Sequence, residues 1–136
     1  MKTLSIIAAT LLMSFITNAQ NKGDLIISFE DLENSKGEIY IALYEKDNFL
    51  RQPTKTNILE VKADNNQVTL NDVTYGEYAI SVFQDLNGNK QFDMKDNQMP
   101  AEPWAMSGNV NPMQMPTWND AKFTFDTASK TIPLKL

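Results

Sequence analysis

The chain has 136 residues, a formal charge of −5, no cysteine and no histidine. Without cysteine there is neither a disulfide nor a lipid-modified N-terminal cysteine, and without histidine there is no Ser-His or Cys-His pair and none of the usual zinc ligands. The acidic balance argues against nucleic acid and against anionic membrane surfaces, which both select Lys and Arg.

The first nineteen residues read as a secretory signal peptide. Lys2 supplies the positive start, Leu4 to Ile16 is an apolar run, and Thr17 and Ala19 place small residues before a cut after Ala19. The apolar run is shorter than the roughly 20 residues of a membrane-spanning helix. The expectation is an exported protein, periplasmic or extracellular, with residues 1–19 removed, no membrane anchor, and residues 20–136 forming one domain.

From there the apolar residues recur in twos, the period of a strand with one buried face. Leu25, Ile27 and Phe29 mark a first strand, and Ile39, Ile41 and Leu43 a second, with Gly37 as the turn before it. Ile58, Leu59 and Val61 mark a third, weaker one; Val68 and Leu70 open a fourth after the polar turn Asp64-Asn65-Asn66. Tyr78, Ile80 and Val82 mark a fifth, Phe123 and Phe125 a sixth, and Ile132, Leu134 and Leu136 a seventh. Pro133 cannot donate a ladder hydrogen bond, so the last strand belongs at a sheet edge. About seven short strands separated by turns, with no amphipathic helix, predict an all-β fold, a single antiparallel β-sandwich.

From Gln84 to Thr117 neither period holds, and four of the six prolines fall there. An irregular connection this long is uncommon in a compact domain and is usually functional. It opens with Asp85-Leu86-Asn87-Gly88-Asn89-Lys90-Gln91-Phe92-Asp93-Met94-Lys95-Asp96. Oxygen-bearing side chains stand at positions one, three, five, seven, nine and twelve, the ligand spacing of an EF-hand calcium loop. Calcium takes six to eight oxygens, and alternate residues of a curled loop can point inward together. Asp85, Asn87 and Asn89 would give side-chain oxygens, Gln91 its carbonyl, Asp93 a direct or water-bridged contact, and Asp96 or Glu102 would close the shell. The sixth position, normally Gly, is Lys90, and the twelfth is the short Asp96. Binding would therefore be weak, about 10⁻⁴–10⁻³ M as in extracellular modules. The competing expectation is a metal-free loop in which Asp and Asn cap their own backbone.

The segment Val73-Thr74-Tyr75-Gly76-Glu77-Tyr78 resembles the start of a strand in prealbumin-like and carboxypeptidase-regulatory-like sandwiches. A longer series resembles the bacterial domain-of-unknown-function family 2141. It runs from Tyr75-Gly76-Glu77-Tyr78-Ala79-Ile80-Ser81-Val82 through Asp85-Leu86-Asn87-Gly88-Asn89 and Asp93 to Pro100-Ala101-Glu102-Pro103-Trp104-Ala105-Met106-Ser107 and Trp118-Asn119-Asp120-Ala121-Lys122-Phe123. The resemblance covers about residues 24–136 and implies a small exported β-sandwich, prealbumin-like or immunoglobulin-like, with no established activity. This chain departs from the family pattern at Lys90 and Ala105, where the family commonly has Gly, and at Gly108-Asn109, where it has Asn-Asn.

Three further groups invite chemistry. Met94, Met99, Met106, Met113 and Met115 are soft donors suited to copper(I), or flexible gap-fillers under the loop. Trp104, Trp118, Tyr75 and Phe92 could form a platform for a glycan, or anchor the loop. Glu102 with Asp93 or Asp96 could be the carboxyl pair of a carbohydrate-active enzyme, which requires a separation of about 5–9.5 Å in a cleft. Ser107 and Lys122 have no spacing that marks a Ser-Lys pair, and Ser107 and Asn109 are otherwise expected on the loop surface with no assigned role. The preferred expectation is a non-enzymatic binding or structural module of the cell envelope with a protein or glycan partner. The alternatives are the envelope enzyme and the methionine-based copper(I) protein.

Overall fold

The computed structural model describes residues 21–30, 32 and 36–136; the signal peptide expected over residues 1–19 lies outside them. Along the chain come β1 (Lys22–Glu30), β2 (Glu38–Tyr44), a 3-10 turn (Lys46–Asn48), β3 (Lys55–Glu60), β4 (Gln67–Thr74), β5 (Gly76–Asp85), β6 (Trp104–Met106), α1 (Trp118–Ala121), β7 (Phe123–Phe125) and β8 (Ser129–Lys135). Seven of these strands stand where the twofold period places them. The eighth, β6, interrupts the long loop; three residues are too few to show a period.

One sheet has the order β4-β1-β8 and the other β3-β2-β5-β6, with β7 also paired to β5. The two sheets make the expected sandwich. Its inner faces are the residues that the alternation selects: Leu25, Ile27 and Phe29 on β1, Ile39, Ile41 and Leu43 on β2, Ile80 and Val82 on β5, closed by Phe125 and Leu134. Each such side chain contributes about 1.5–3 kcal/mol by leaving water. Phe125 is completely buried, so truncating it to Ala costs about 3–5 kcal/mol.

The pairing is antiparallel except between β1 and β8, which run parallel from Asp24↔Ser129 to Glu30↔Lys135. Alternation does not encode direction, so this departure from an all-antiparallel sandwich was not legible. Pro133 does lie on an edge strand, as its missing N–H requires.

Register fixes what the five-stranded sheet shows on its other face. Ile58 stands opposite Tyr40, Tyr40 opposite Phe83, and Phe83 opposite Trp104. The neighbouring row on that face is Thr56, Ala42, Ser81 and Met106. The first row is bulky throughout; the second is small at its centre.

Candidate functional site: the Asp85 loop and the outer sheet face

β5 delivers Asp85 at the mouth of the long loop, where it pairs with Glu38 of β2. Gly37 precedes that pair with φ +78, and a Cβ on it would lie 2.1 Å from the Asp85 carbonyl oxygen. Only glycine fits this crossing without moving backbone.

The Asp85 carboxylate is 2% exposed and turned into its own loop. Its Oδ1 accepts from the Gly88 N–H (2.9 Å) and its Oδ2 from the Lys90 N–H (2.8 Å). Asn87 Oδ1 accepts from the Asn89 N–H (3.1 Å), and Asn89 Oδ1 from the Gln91 N–H (3.0 Å). These are successive Asx turns, the local capping for which Asp and Asn are suited. Gly88 (φ 73) and Lys90 (φ 62) are both left-handed. The tight curl thus exists at position six although a lysine occupies it, with a backbone cost of about 1–2 kcal/mol.

Beyond the curl the chain doubles back. Met94 bridges to Pro100, the Lys95 N–H donates to the Met99 carbonyl (2.7 Å), and the Ala101 N–H to the Asp93 carbonyl (2.8 Å). This excursion returns Glu102 beneath the loop, 7% exposed. Glu102 Oε1 accepts from the Leu86 N–H (3.2 Å) and Oε2 from the Asp93 N–H (3.3 Å). The Asp93 carboxylate in turn receives Asn87 Nδ2 (2.6 Å) and Asn89 Nδ2 (2.8 and 2.7 Å).

Of the seven residues expected around a cation, Asp85, Asn87, Asn89, Asp93 and Glu102 are therefore drawn into one hydrogen-bonded unit. Gln91 joins it through its N–H. Asp96 does not join: it is exposed on the excursion and takes part in no side-chain hydrogen bond of the loop. Among the described residues no three Asp or Glu side chains are placed to hold a metal ion together. The carboxylates instead face N–H groups, and no buried side-chain nitrogen or oxygen there lacks a partner.

Ser107, expected at the loop surface, is 1% exposed. Its Oγ accepts from the Ile80 N–H (2.8 Å) and donates to the Ala121 carbonyl (2.7 Å), tying β5 to α1. Lys122 pairs with Glu77 instead (3.3 Å), so no Ser-Lys pair forms. Asn109 is exposed, and its N–H donates to the Asp120 carbonyl (2.7 Å).

The four-aromatic platform is not assembled. Tyr75 packs edge-on against Phe125 (5.7 Å), and Trp118 edge-on against Phe49 (5.7 Å); both anchor the sandwich. Phe92 and Trp104 remain together on the outer face of the five-stranded sheet. There Tyr40 stacks on Phe83 (5.1 Å, 10° between planes) and Phe92 leans on Phe83 (5.3 Å). Beneath them is a hollow of about 490 Å³, and beside it one of about 440 Å³ lined by all five loop methionines. The Tyr40 hydroxyl donates to Glu38 (3.0 Å). Partial burial first, and then the Glu38 and Asp85 carboxylates, push its pKa above the ordinary tyrosine value. The twofold alternation implies that this face is wet. The available signal was Tyr40, Phe83, Trp104 and Met106 at outward positions where a wet face carries charge.

A family model described as an uncharacterized protein conserved in bacteria (DUF2141) matches residues 27–133. No curated protein and no solved structure matches the chain.

Proposed function

Because the chain belongs to the bacterial DUF2141 family, whose activity is uncharacterised, its own geometry has to carry the functional reading, and we propose an exported, non-enzymatic binding module of the cell envelope whose Asp85 loop takes calcium weakly. The observation behind this is the pre-formed curl: Asp85 holds the Gly88 and Lys90 N–H groups, and Lys90 adopts the left-handed backbone of a calcium loop's sixth position. Two amide NH₂ groups now sit on the Asp93 carboxylate, where a cation would draw amide oxygens instead. Binding then requires Asn87 and Asn89 to turn and give up their Asx turns, which opposes affinity. The loop without metal is already satisfied, so calcium adds to a frame that stands alone.

Two observations support a non-enzymatic reading. Glu102 and Asp93 spend their carboxylate oxygens on backbone and amide donors, leaving no free acid–base pair. The Ser107 hydroxyl is buried and bonded on both sides. All five loop methionines line one hollow of about 440 Å³, but the chain has no histidine or cysteine to join them on copper(I). The methionines fit better as flexible apolar lining.

Thermal melting with and without 10 mM calcium tests the proposal. For a dissociation constant of about 1 mM, the ion stabilises the fold by about 1.4 kcal/mol, which raises Tm by about 4–7 °C. Asp93→Asn should abolish the shift. An unchanged Tm of the parent protein at that concentration leaves the self-capped loop without calcium.

A further inference from the structure

We propose that the outer face of the five-stranded sheet is a binding trough for the hydrocarbon chain of an uncharged amphiphile; Phe92 and Met94 of the Asp85 loop help to line it, but none of the candidate calcium ligands does. Its shape follows from the register. The bulky row Ile58–Tyr40–Phe83–Trp104 forms one wall, and the small pair Ala42 and Ser81 in the next row lowers the floor beside it. Leu50, Phe92, Trp104 and Met106 line both hollows, so the two lie side by side along the face. Each hollow, at about 490 and 440 Å³, is in the size range of small-ligand sites, about 300–1,000 Å³.

The distribution of apolar surface points to the same place. Seven large hydrophobic residues are exposed among the described residues, and six of them line this trough: Leu50, Ile58, Phe92, Met94, Met113 and Met115. Exposed apolar side chains scattered singly are ordinary, but a contiguous patch marks a binding surface.

The lining also selects the ligand. No Asp, Glu, Lys or Arg lines either hollow, in a chain whose residues are 21% charged. Tyr40 stays a neutral phenol, since its pKa is raised. A glycan needs directional polar and charged partners for its hydroxyls, and the two hollows offer no charged side chain and few polar ones: Thr56, Asn57, Ser81, Gln98, Gln114, the tyrosine hydroxyls and the Trp104 indole N–H. An anionic headgroup would find no cation here and would meet a protein of charge −5. An elongated, uncharged hydrocarbon satisfies the site, and methionines at its mouth can repack around chains of different length.

The test is a fluorescence titration of the intact protein with the neutral apolar dye N-phenyl-1-naphthylamine, followed by displacement with 1-monopalmitoylglycerol below its aggregation threshold. Saturable dye binding at one site and full displacement are expected. Ser81→Phe, which raises the floor from the solvent side, should weaken binding at least tenfold. Ile58→Glu, at an exposed position on the wall, should do the same by placing a charge there. Leu86→Glu, exposed but outside the trough, should leave binding unchanged, and 10 mM calcium should not alter it. The absence of saturable dye binding overturns the proposal. So does displacement by cellohexaose as readily as by the monoacylglycerol, or sedimentation showing that the face is closed between two copies of the chain. Equal binding by Ser81→Phe and the parent protein overturns it as well.

Discussion

Replacing Ser107 with Ala removes one oxygen and orphans two buried backbone groups. The Ile80 N–H loses its acceptor at 2.8 Å and the Ala121 carbonyl its donor at 2.7 Å. The neighbouring Ser107 N–H to Ile80 carbonyl bond (2.9 Å) survives, so the strand edge stays in place and closes over the vacancy. Each unpaired buried group costs about 1–3 kcal/mol. The pair therefore costs about 2–6 kcal/mol, a large share of the roughly 5–15 kcal/mol by which a domain is stable. For a domain of this size that lowers Tm by about 6 °C at the least and by about 30 °C at the most. Urea unfolding followed by circular dichroism, with a thermal melt alongside, measures the loss. Ser107→Cys, which keeps a weak donor and acceptor, should fall between Ala and Ser. A loss below about 1 kcal/mol for Ser107→Ala would refute the reasoning, because it would mean that the hydroxyl is no better there than water.

Three further outcomes are expected. Lys90→Gly relieves a left-handed backbone (φ 62); against a strain of about 1–2 kcal/mol stands the added chain entropy of Gly, about 0.5–1 kcal/mol. Tm should rise by about 2–4 °C, and calcium should bind more tightly in the same melts. Gly37→Ala forces a Cβ to within 2.1 Å of the Asp85 carbonyl oxygen, so urea unfolding should show a loss of at least about 2 kcal/mol. Tyr78 donates to the Thr74 carbonyl (2.6 Å), and burial, then the Glu45 carboxylate, raises its phenol pKa. A phenol that ionises later in the folded state gives stability that is complete below the unfolded pKa of about 10 and is lost as pH rises through the folded value. Tyr78→Phe should flatten the alkaline side of the stability–pH curve above pH 10; an unchanged alkaline slope would exclude Tyr78 as its source.

The twofold alternation made the inner faces of both sheets legible, because burial acts on each residue separately and leaves its mark at every second position. The turns capped by Asp85, Asn87 and Asn89 were legible for a similar reason, since capping by Asp and Asn is local. Three features were not. The parallel direction of β8 depends on a partner distant in sequence. Ser107 forms bonds to Ile80 and Ala121 that no spacing announces. The outer trough arises from rows that run across four strands, Ile58 to Trp104, and a reading along one strand sees Tyr40 and Phe83 only as residues on the wet side. Lys90 shows the opposite case. A lysine at this position departs from the calcium-loop pattern, yet the bonds around Asp85 accompany the left-handed turn regardless.

The parallel pair of β1 and β8 bears on how the fold is reached. Asp24 meets Ser129, nearly opposite ends of the described sequence, while β2, β3 and β5 find one another over shorter distances. Distant pairings form late, since their loop-closure entropy falls due before any contact offsets it. Until β8 arrives, β1 is not a central strand but a bare edge beside β4, with a row of unpaired N–H and C=O groups. Such an edge is a template for another chain. A chain shortened before Ser129 would keep most of its core and still tend to aggregate, and the C-terminal strand acts as the guard of the first.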